Sequence, residues 1–513
     1  MLFAHLGHYA LWDDEAGTAL SAKGVLRSLD TGVFVDEHNI VAYRNGKEIR
    51  NLRLRYLPPL QAYLAAPFLA VLGEQSAFAA RLPFALCGLA GIALMAGWLW
   101  RENARPGFAW LLCAGLVCNV SLFLYLRQCR YYAPAWLCST AIACLYLHWN
   151  GRRGGLAGAA LLLICLLATN YLNYIALGVC LATDYWLWRR KERRLTPPDW
   201  LLLLLPQLIA GAIIVSIWNP LNKPPAVPAT SGWLAGKLTL FWWNWRDLNR
   251  CEFGALLLLA LAPFTYVLSR DRWLLRAPMA LFVYVTVVTL CSPQSIESTN
   301  AAAVRYLMPV IPLCIAIEAL VLCTVTRQAT WTMVPLSVLV FGTNLFNGGP
   351  LSYCGFRSTI ASYLGEMVRP PDDPYTLAAQ WINQHVRNAE SVLVQPDYAT
   401  YPLMFHAPKA LYAWQLTDPP EPQYAHLPAI HFLGREPPDY LVAFGPSMGT
   451  MTNALEHWNG PGVRYEQVAL IDHYWLDTYR PELFWRTFKP VTKYDRSREA
   501  IYIFKRVAPP IRN

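Results

Sequence analysis

Residues 78–105 read FAARLPFALCGLAGIALMAGWLWRENAR, and this stretch decides the fold class. From Phe78 to Trp100 the only charged residue is Arg81, and Arg101, Glu102 and Arg105 follow at once. A helix needs roughly 20 apolar residues to cross the bilayer core, so the stretch predicts a span that ends in a basic loop. The same pattern recurs downstream. Candidate spans are Phe78–Trp100, Phe108–Leu126, Tyr131–His148, Leu156–Asn170, Tyr171–Trp188, Trp200–Trp218, Cys251–Leu268, Ala277–Cys291, Val304–Val325 and Thr330–Asn347. The fourth and fifth are short and nearly continuous, and a tight hairpin is expected at Asn170-Tyr171-Leu172-Asn173. Composition agrees. The chain is 55% hydrophobic and 15% charged, where soluble proteins carry about a quarter charged residues. Its many Trp, Tyr and Phe residues suit anchoring at bilayer interfaces.

A net charge of +10 would suggest a nucleic-acid partner in a soluble protein. Here the arginines sit in short loops between apolar runs, so the positive-inside rule explains them and no nucleic acid is expected. Arg101 and Arg105, Arg152 and Arg153, the run Arg189-Arg190-Lys191-Glu192-Arg193-Arg194, the group Arg270, Arg272 and Arg276, and Arg327 mark the cytoplasmic loops. Met1–Ala77, Arg127–Arg130, Asn219–Arg250, Ser292–Ala303 and the tail from Gly348 then lie outside. The sequence therefore divides into an external first loop (1–77), a transmembrane domain of about ten helices (78–347) and an extracytoplasmic domain (348–513). The expected location is the inner or plasma membrane.

Within the first loop, Leu60–Leu72 is apolar but too short to span, and reads as an interfacial helix. Only Met1–Leu11 precede the first acidic cluster, so nothing N-terminal accounts for how this loop crosses the membrane. A trimmed start, a late start and an absent first helix are all open readings. Most of the thirteen cysteines lie inside apolar runs and there is no CxxC pair, so neither a disulfide framework nor a zinc site is expected. In the tail, Tyr375–Arg387 has helical periodicity, with Leu377, Trp381, Ile382 and Val386 on one side. Ser391–Val394, Tyr440–Ala443 and Ala500–Phe504 read as short buried strands. Together they predict a small α/β domain.

The chemistry-bearing feature is Leu11-Trp12-Asp13-Asp14-Glu15-Ala16-Gly17, three adjacent carboxylates beside the bilayer. Close like charges and a low-dielectric neighbour raise carboxylate pKa values, which tunes one of them for general-base work on a hydroxyl. Composition alone favours a solvated acidic turn. Further on come Arg55-Tyr56-Leu57-Pro58-Pro59-Leu60, Ala79-Ala80-Arg81-Leu82-Pro83, Arg127-Gln128-Cys129-Arg130-Tyr131-Tyr132 and Val304-Arg305-Tyr306-Leu307-Met308-Pro309.

Taken in order, these segments resemble the membrane glycosyltransferases of the GT-C class, specifically the protein O-mannosyltransferase and aminoarabinose-transferase superfamily. The resemblance runs through the tail, with Tyr401-Pro402-Leu403-Met404-Phe405 and Arg480-Pro481-Glu482. It implies a GT-C-like polytopic membrane fold and an inverting transfer of sugar from a polyprenyl-phosphate donor to an acceptor hydroxyl. The acceptor would be a glycan, a lipid or a protein. Asp14 would be the base, and Glu15 would orient it or hold a polar partner. A cation must meet the lipid phosphate, where negative charge builds. Arg127, Arg130 and Arg305 lie on the appropriate side, and Arg suits phosphate by its planar fork. Snorkelling toward water is the other reading for each. Tyr131 and Tyr306 adjoin two of these arginines, and Arg55 or Tyr56 would stand in for the charged residue that relatives often carry where Leu57 lies here.

Some relatives bind a divalent metal near the first loop. His38 with Asp36 and Glu37 would be the ligands, but no spacing supports them, so no metal or cofactor is assigned. His473-Tyr474-Trp475 and the Arg480/Glu482 pair read as domain packing and a surface ion pair rather than a sugar site. The competing function is a transporter or flippase of a lipid-linked sugar. Transporters tend to carry repeats and mid-membrane ionisable groups, and only Glu318 answers to that.

Overall fold

The computed structural model describes residues 1–36, 39–41, 49–50, 53–54, 57–102, 105–218, 232–251, 253–294, 296, 304–327, 329–347, 355–388, 390–412, 437–445, 463–472 and 500–507. It is mainly helical. Helix α1 (Asp13–Ser28) leads to a short antiparallel pair, β1 (Ile49–Arg50) and β2 (Arg53–Leu54), and then to α2 (Leu60–Leu72). The apolar helices follow: α3 (Ala77–Arg101), α4 (Pro106–Cys118), α5 (Val120–Leu126), α6 (Tyr132–Leu147), α7 (Arg153–Thr169) and α8 (Tyr171–Asp184). A π-helical turn (Tyr185–Arg189) and the short α9 (Arg190–Glu192) precede α10 (Pro197–Ile217), α11 (Trp233–Cys251), α12 (Ala255–Ser269) and α13 (Trp273–Cys291). A 3₁₀ segment (Val304–Val310) runs into α14 (Ile311–Val325), and α15 (Thr330–Gly342) follows.

Four helices, α3, α10, α13 and Val304–Val325, are long and apolar enough to cross a membrane. There are six such spans if the bent pairs α4/α5 and α11/α12 each count as one. The outward face of α10 exposes Leu201, Leu204, Leu205, Leu208, Ile209 and Ile213. So large an apolar surface requires a lipid partner, and the chain is an integral membrane protein. Helix contacts use small residues, as in other membrane bundles. A Cβ at Gly91 of α3 would sit 2.5 Å from the Trp136 ring of α6.

Two elements differ from the sequence reading. The acidic cluster is not in a loop but forms the first turn of α1, which is buried continuously from Glu15 to Val25. Gly17, Thr18, Ser21 and Gly24 hide this helix from a periodicity search. Packing against α2 and the tail stabilises it, and Gly24 lies against the Gly32 carbonyl where no Cβ fits. Likewise most of Asn219–Arg250, expected as an external loop, is helix α11, set at 94° to α12. Its outer face carries Trp233, Leu234, Leu238 and Trp242, while Asp247 is buried and held by Arg246 and Arg250. The polar side of α11 points inward, so its charges argued for a loop.

The tail contains α16 (Thr359–Val368), α17 (Pro374–His385), α18 (Thr400–His406) and a five-stranded sheet. The strands are β3 (Ser391–Gln395), β4 (Leu411–Tyr412), β5 (Tyr440–Phe444), β6 (Arg464–Ile471) and β7 (Ile501–Val507), in the order β4-β3-β5-β7-β6. β3 runs parallel to β4 and β5, and β7 pairs antiparallel with β5 and β6. The small C-terminal α/β domain is therefore present. In α17 the buried face is Tyr375, Ala378, Ala379 and Ile382, rotated from the predicted stripe, with Leu377 and Trp381 half-buried. Arg55, Tyr56, Glu37, His38, His473-Tyr474-Trp475, Arg480 and Glu482 lie outside the described residues.

Candidate active site

Three distant segments converge on Asp14. The first turn of α1 presents its carboxylate, which accepts a hydrogen bond from Arg305 Nη1 at the start of the 3₁₀ segment. Arg130, in the turn before α6, lies 3.4 Å from the same carboxylate oxygen. Arg130 Nη1 also donates to the Asp14 carbonyl at 3.2 Å and to the Thr18 hydroxyl at 3.1 Å. Asp14 and Arg305 retain 19% and 27% side-chain exposure, so the cluster is reachable from one side. Arg130 Nε and the Tyr131 hydroxyl are buried and make no hydrogen bond among the described residues. Tyr131 and Tyr306 stack at 6.5 Å beside the two guanidiniums.

Asp13 and Glu15 have separate environments. Burial, reinforced by the neighbouring Asp14 charge, pushes the Asp13 carboxyl well above the carboxylate range, against the pull of Arg130 and Arg305. Asp397, from the tail, adds further negative charge. Glu15 is fully buried. Its carboxylate takes a bidentate pair from Arg81 at 2.9 and 2.5 Å and the Cys129 N–H at 2.8 Å. Arg81 also donates to the carbonyls of Leu6, Tyr9 and Ala10. Glu15 thus ties α3 and the turn before Arg130 to the N-terminal segment.

The structure brings Asp14, Arg130, Tyr131, Arg305 and Tyr306 together. Arg127 is spent elsewhere, donating to the Tyr363 hydroxyl at 3.0 Å and the Ala4 carbonyl at 2.7 Å. Sequence reasoning missed Thr18, which sits one helical turn after Asp14, and the role of Arg81. A lone arginine inside an apolar run was the available signal for the latter. Among the described residues no group of His, Cys, Asp and Glu is placed to hold a metal ion.

Comparison with solved structures places this geometry. The chain superposes on ArnT from Cupriavidus metallidurans bound to undecaprenyl phosphate with a TM-score of 0.57 at 15% identity, covering 98% of this chain and 95% of that one. The chain has an ArnT-like fold. The apo state of ArnT matches equally, with a TM-score of 0.57, 14% identity and the same coverage. The archaeal oligosaccharyltransferase AglB from Archaeoglobus fulgidus, in complex with an inhibitory peptide and a dolichol-phosphate, gives a TM-score of 0.47 at 12% identity, over 89% of this chain and 69% of AglB. No protein-family model and no curated protein matches the sequence. The ArnT-like fold is GT-C-like and spans the membrane bundle together with the C-terminal domain.

Proposed function

We propose that this protein transfers a sugar from a polyprenyl-phosphate donor to an acceptor hydroxyl at the membrane face that carries Asp14, with inversion at the anomeric carbon. The observation that carries the reading is the convergence of Asp14, Arg130 and Arg305 from three separate segments. The ArnT-like fold supports it, because ArnT binds undecaprenyl phosphate.

The Asp14 carboxylate lies where an anion suits the two guanidiniums. A donor phosphate competes for Arg130 and Arg305 with stronger, bidentate charge-assisted bonds. That releases the Asp14 carboxylate for the acceptor. The acceptor oxygen then attacks the anomeric carbon, its proton passes to Asp14, and the bond from the anomeric carbon to the phosphate oxygen breaks. The departing polyprenyl phosphate carries its charge onto Arg130 and Arg305, where preorganised donors stabilise it as it develops. Thr18 positions Arg130, and Glu15 positions the turn that carries it.

Asp14→Asn should lower transfer by about a hundred- to ten-thousand-fold, with undecaprenyl-phosphate binding retained. Arg130→Ala should weaken that binding, and Arg130→Lys should still slow turnover because it loses the planar fork. Asp13→Asn should cost less than Asp14→Asn. Purified, membrane-inserted protein assayed with a polyprenyl-phosphate sugar decides the matter. Full activity of Asp14→Asn would remove Asp14 as the base, and unchanged lipid binding by Arg130→Ala would remove Arg130 from the phosphate site.

A further inference from the structure

A second feature lies at the opposite, basic end of the bundle, away from the Asp14 cluster. α6, α7, α8 and α10 enclose a cavity of about 380 Å³. Its walls are almost wholly apolar, with Leu163, Val179 and Leu204 among them. The volume is within the range of small-molecule sites. Its apolar lining suits an apolar chain rather than a compact polar ligand.

The mouth has a distinct chemistry. Trp149, Tyr185 and Trp200 line the cavity beside the loops that carry Arg152 and Arg189–Arg194. Trp149 is 7% exposed, and its indole N–H makes no hydrogen bond among the described residues. Arg152, Arg193 and Arg194 are exposed and form no ion pair among the described residues, and the exposed Arg190 guanidinium stacks on the Trp186 ring at 4.2 Å, a contact that leaves its N–H edge open to an anion. The Arg193 guanidinium lies against Gly151, two residues beyond Trp149. Arg189, by contrast, is consumed by the carbonyls of Tyr146, Leu147 and Trp149 and by Glu192, which fixes the rim. Apolar walls, a buried unspent donor in the lining and exposed cations on the adjoining loops form a series. An acyl chain, an ester carbonyl and a phosphate match that series.

We propose that this cavity binds one acyl chain of an anionic phospholipid drawn from the leaflet bordering the basic loops, with the phosphate against Arg190 and Arg193. Charge complementarity selects the anionic headgroup, because basic residues near a membrane surface favour anionic lipid. This site is distinct from the one proposed for the donor, and its test does not use sugar transfer.

Gly178 gives a clean probe. It lines the cavity on α8, and a Cβ there meets nothing within 4 Å, so Gly178→Phe starts a bulky side chain in open space at the cavity wall. The full chain, purified in mild detergent, is examined by native mass spectrometry and then in nanodiscs of phosphatidylglycerol or phosphatidylethanolamine. Wild-type protein should retain one phosphatidylglycerol per chain and gain thermal stability with that lipid alone. Gly178→Phe should retain at least about tenfold less while matching the wild-type melting temperature in lipid-free detergent. The double variant Arg190→Gln/Arg193→Gln, at exposed positions, should lose the preference for phosphatidylglycerol and serves if Gly178→Phe does not fold. The proposal is overturned if Gly178→Phe retains phosphatidylglycerol fully, if the double variant keeps the preference, if both lipids are held equally by wild type, or if the retained lipid is a polyprenyl phosphate.

Discussion

Arg81 has five N–H donors and all are taken: two by Glu15, one each by the Leu6, Tyr9 and Ala10 carbonyls. Arg130 is different, with a buried Nε still unspent and a partly open carboxylate as partner. The first is an architectural arginine; the second can exchange partners. Removing one member of a buried ion pair strands the other and costs about 3–5 kcal/mol. Glu15→Gln and Arg81→Ala should therefore lower the melting temperature sharply, with Arg81→Lys intermediate because it cannot reproduce the fork. Asp14→Asn, partly exposed, should melt close to wild type. Thermal unfolding of the four variants in detergent checks this; a Glu15→Gln protein as stable as Asp14→Asn would contradict the division of labour. Asp14, Arg130 and Arg305 were legible in the sequence because each sits in a short motif on one expected side. The partition between Asp14 and Glu15 was not, because it depends on Arg81 reaching back across 66 positions.

The first twelve residues are held by the tail through element ends rather than by a shared strand. The Leu11 N–H donates to His406 Nε2 at 3.0 Å, and the Ala10 N–H donates to Asp373 at 3.0 Å. His5 and His8 donate to the Met367 and Pro371 carbonyls. His406 accepts, so it is neutral, and burial pushes its pKa down to about 4. A base with a folded pKa below its unfolded value of about 6.5 binds fewer protons when folded. Its contribution is complete above about pH 6.5 and is lost as the pH falls toward 4, by up to about tenfold in the folding equilibrium per pH unit. The melting temperature should fall between pH 7 and pH 4.5, and His406→Gln should flatten that dependence. An equal fall in the variant would assign the effect to other groups. The strands of this domain were legible because β3, β5 and β7 are short buried runs of β-branched and aromatic residues bounded by turn residues. β6 was missed because it is an edge strand with no buried residue, its alternation broken by three consecutive exposed residues, Glu466, Gln467 and Val468, at the register shift. α1 and α11 were missed because they bury small or polar residues, so their periodicity runs against the usual rule.

At the scale of the whole molecule, side-chain contacts sort the loops into two ends. Glu102 pairs with His148, Arg189 binds the Tyr146–Trp149 carbonyls, and Arg276 pairs with Asp184, which also accepts from Tyr146. The basic loops therefore share one end. At the other end Arg127 meets Ala4 and Tyr363, Glu15 meets Cys129, and Asp14 meets Arg305. The bundle is polarised independently of any assumption about sidedness, and the positive-inside rule then predicts its orientation. That rule acts on short loops flanking the spans, which is where Arg101, Arg105, Arg152, Arg153, Arg189–Arg194 and Arg270–Arg276 lie, while a long tail crosses with little regard to its own charge. A reporter fused after Arg194 should read cytoplasm, and reporters placed after Trp218 or after Gly348 should read the opposite side. The three positions constrain one another, because the tail is joined to the N-terminal segment through Leu11–His406 and Ala10–Asp373. If the Gly348 fusion reads cytoplasm, the Asp14 cluster moves to that side with it, and transfer at the outer face is excluded. If Arg194 and Trp218 read the same side, α10 does not span, although its apolar exposed face demands lipid on most of its circumference.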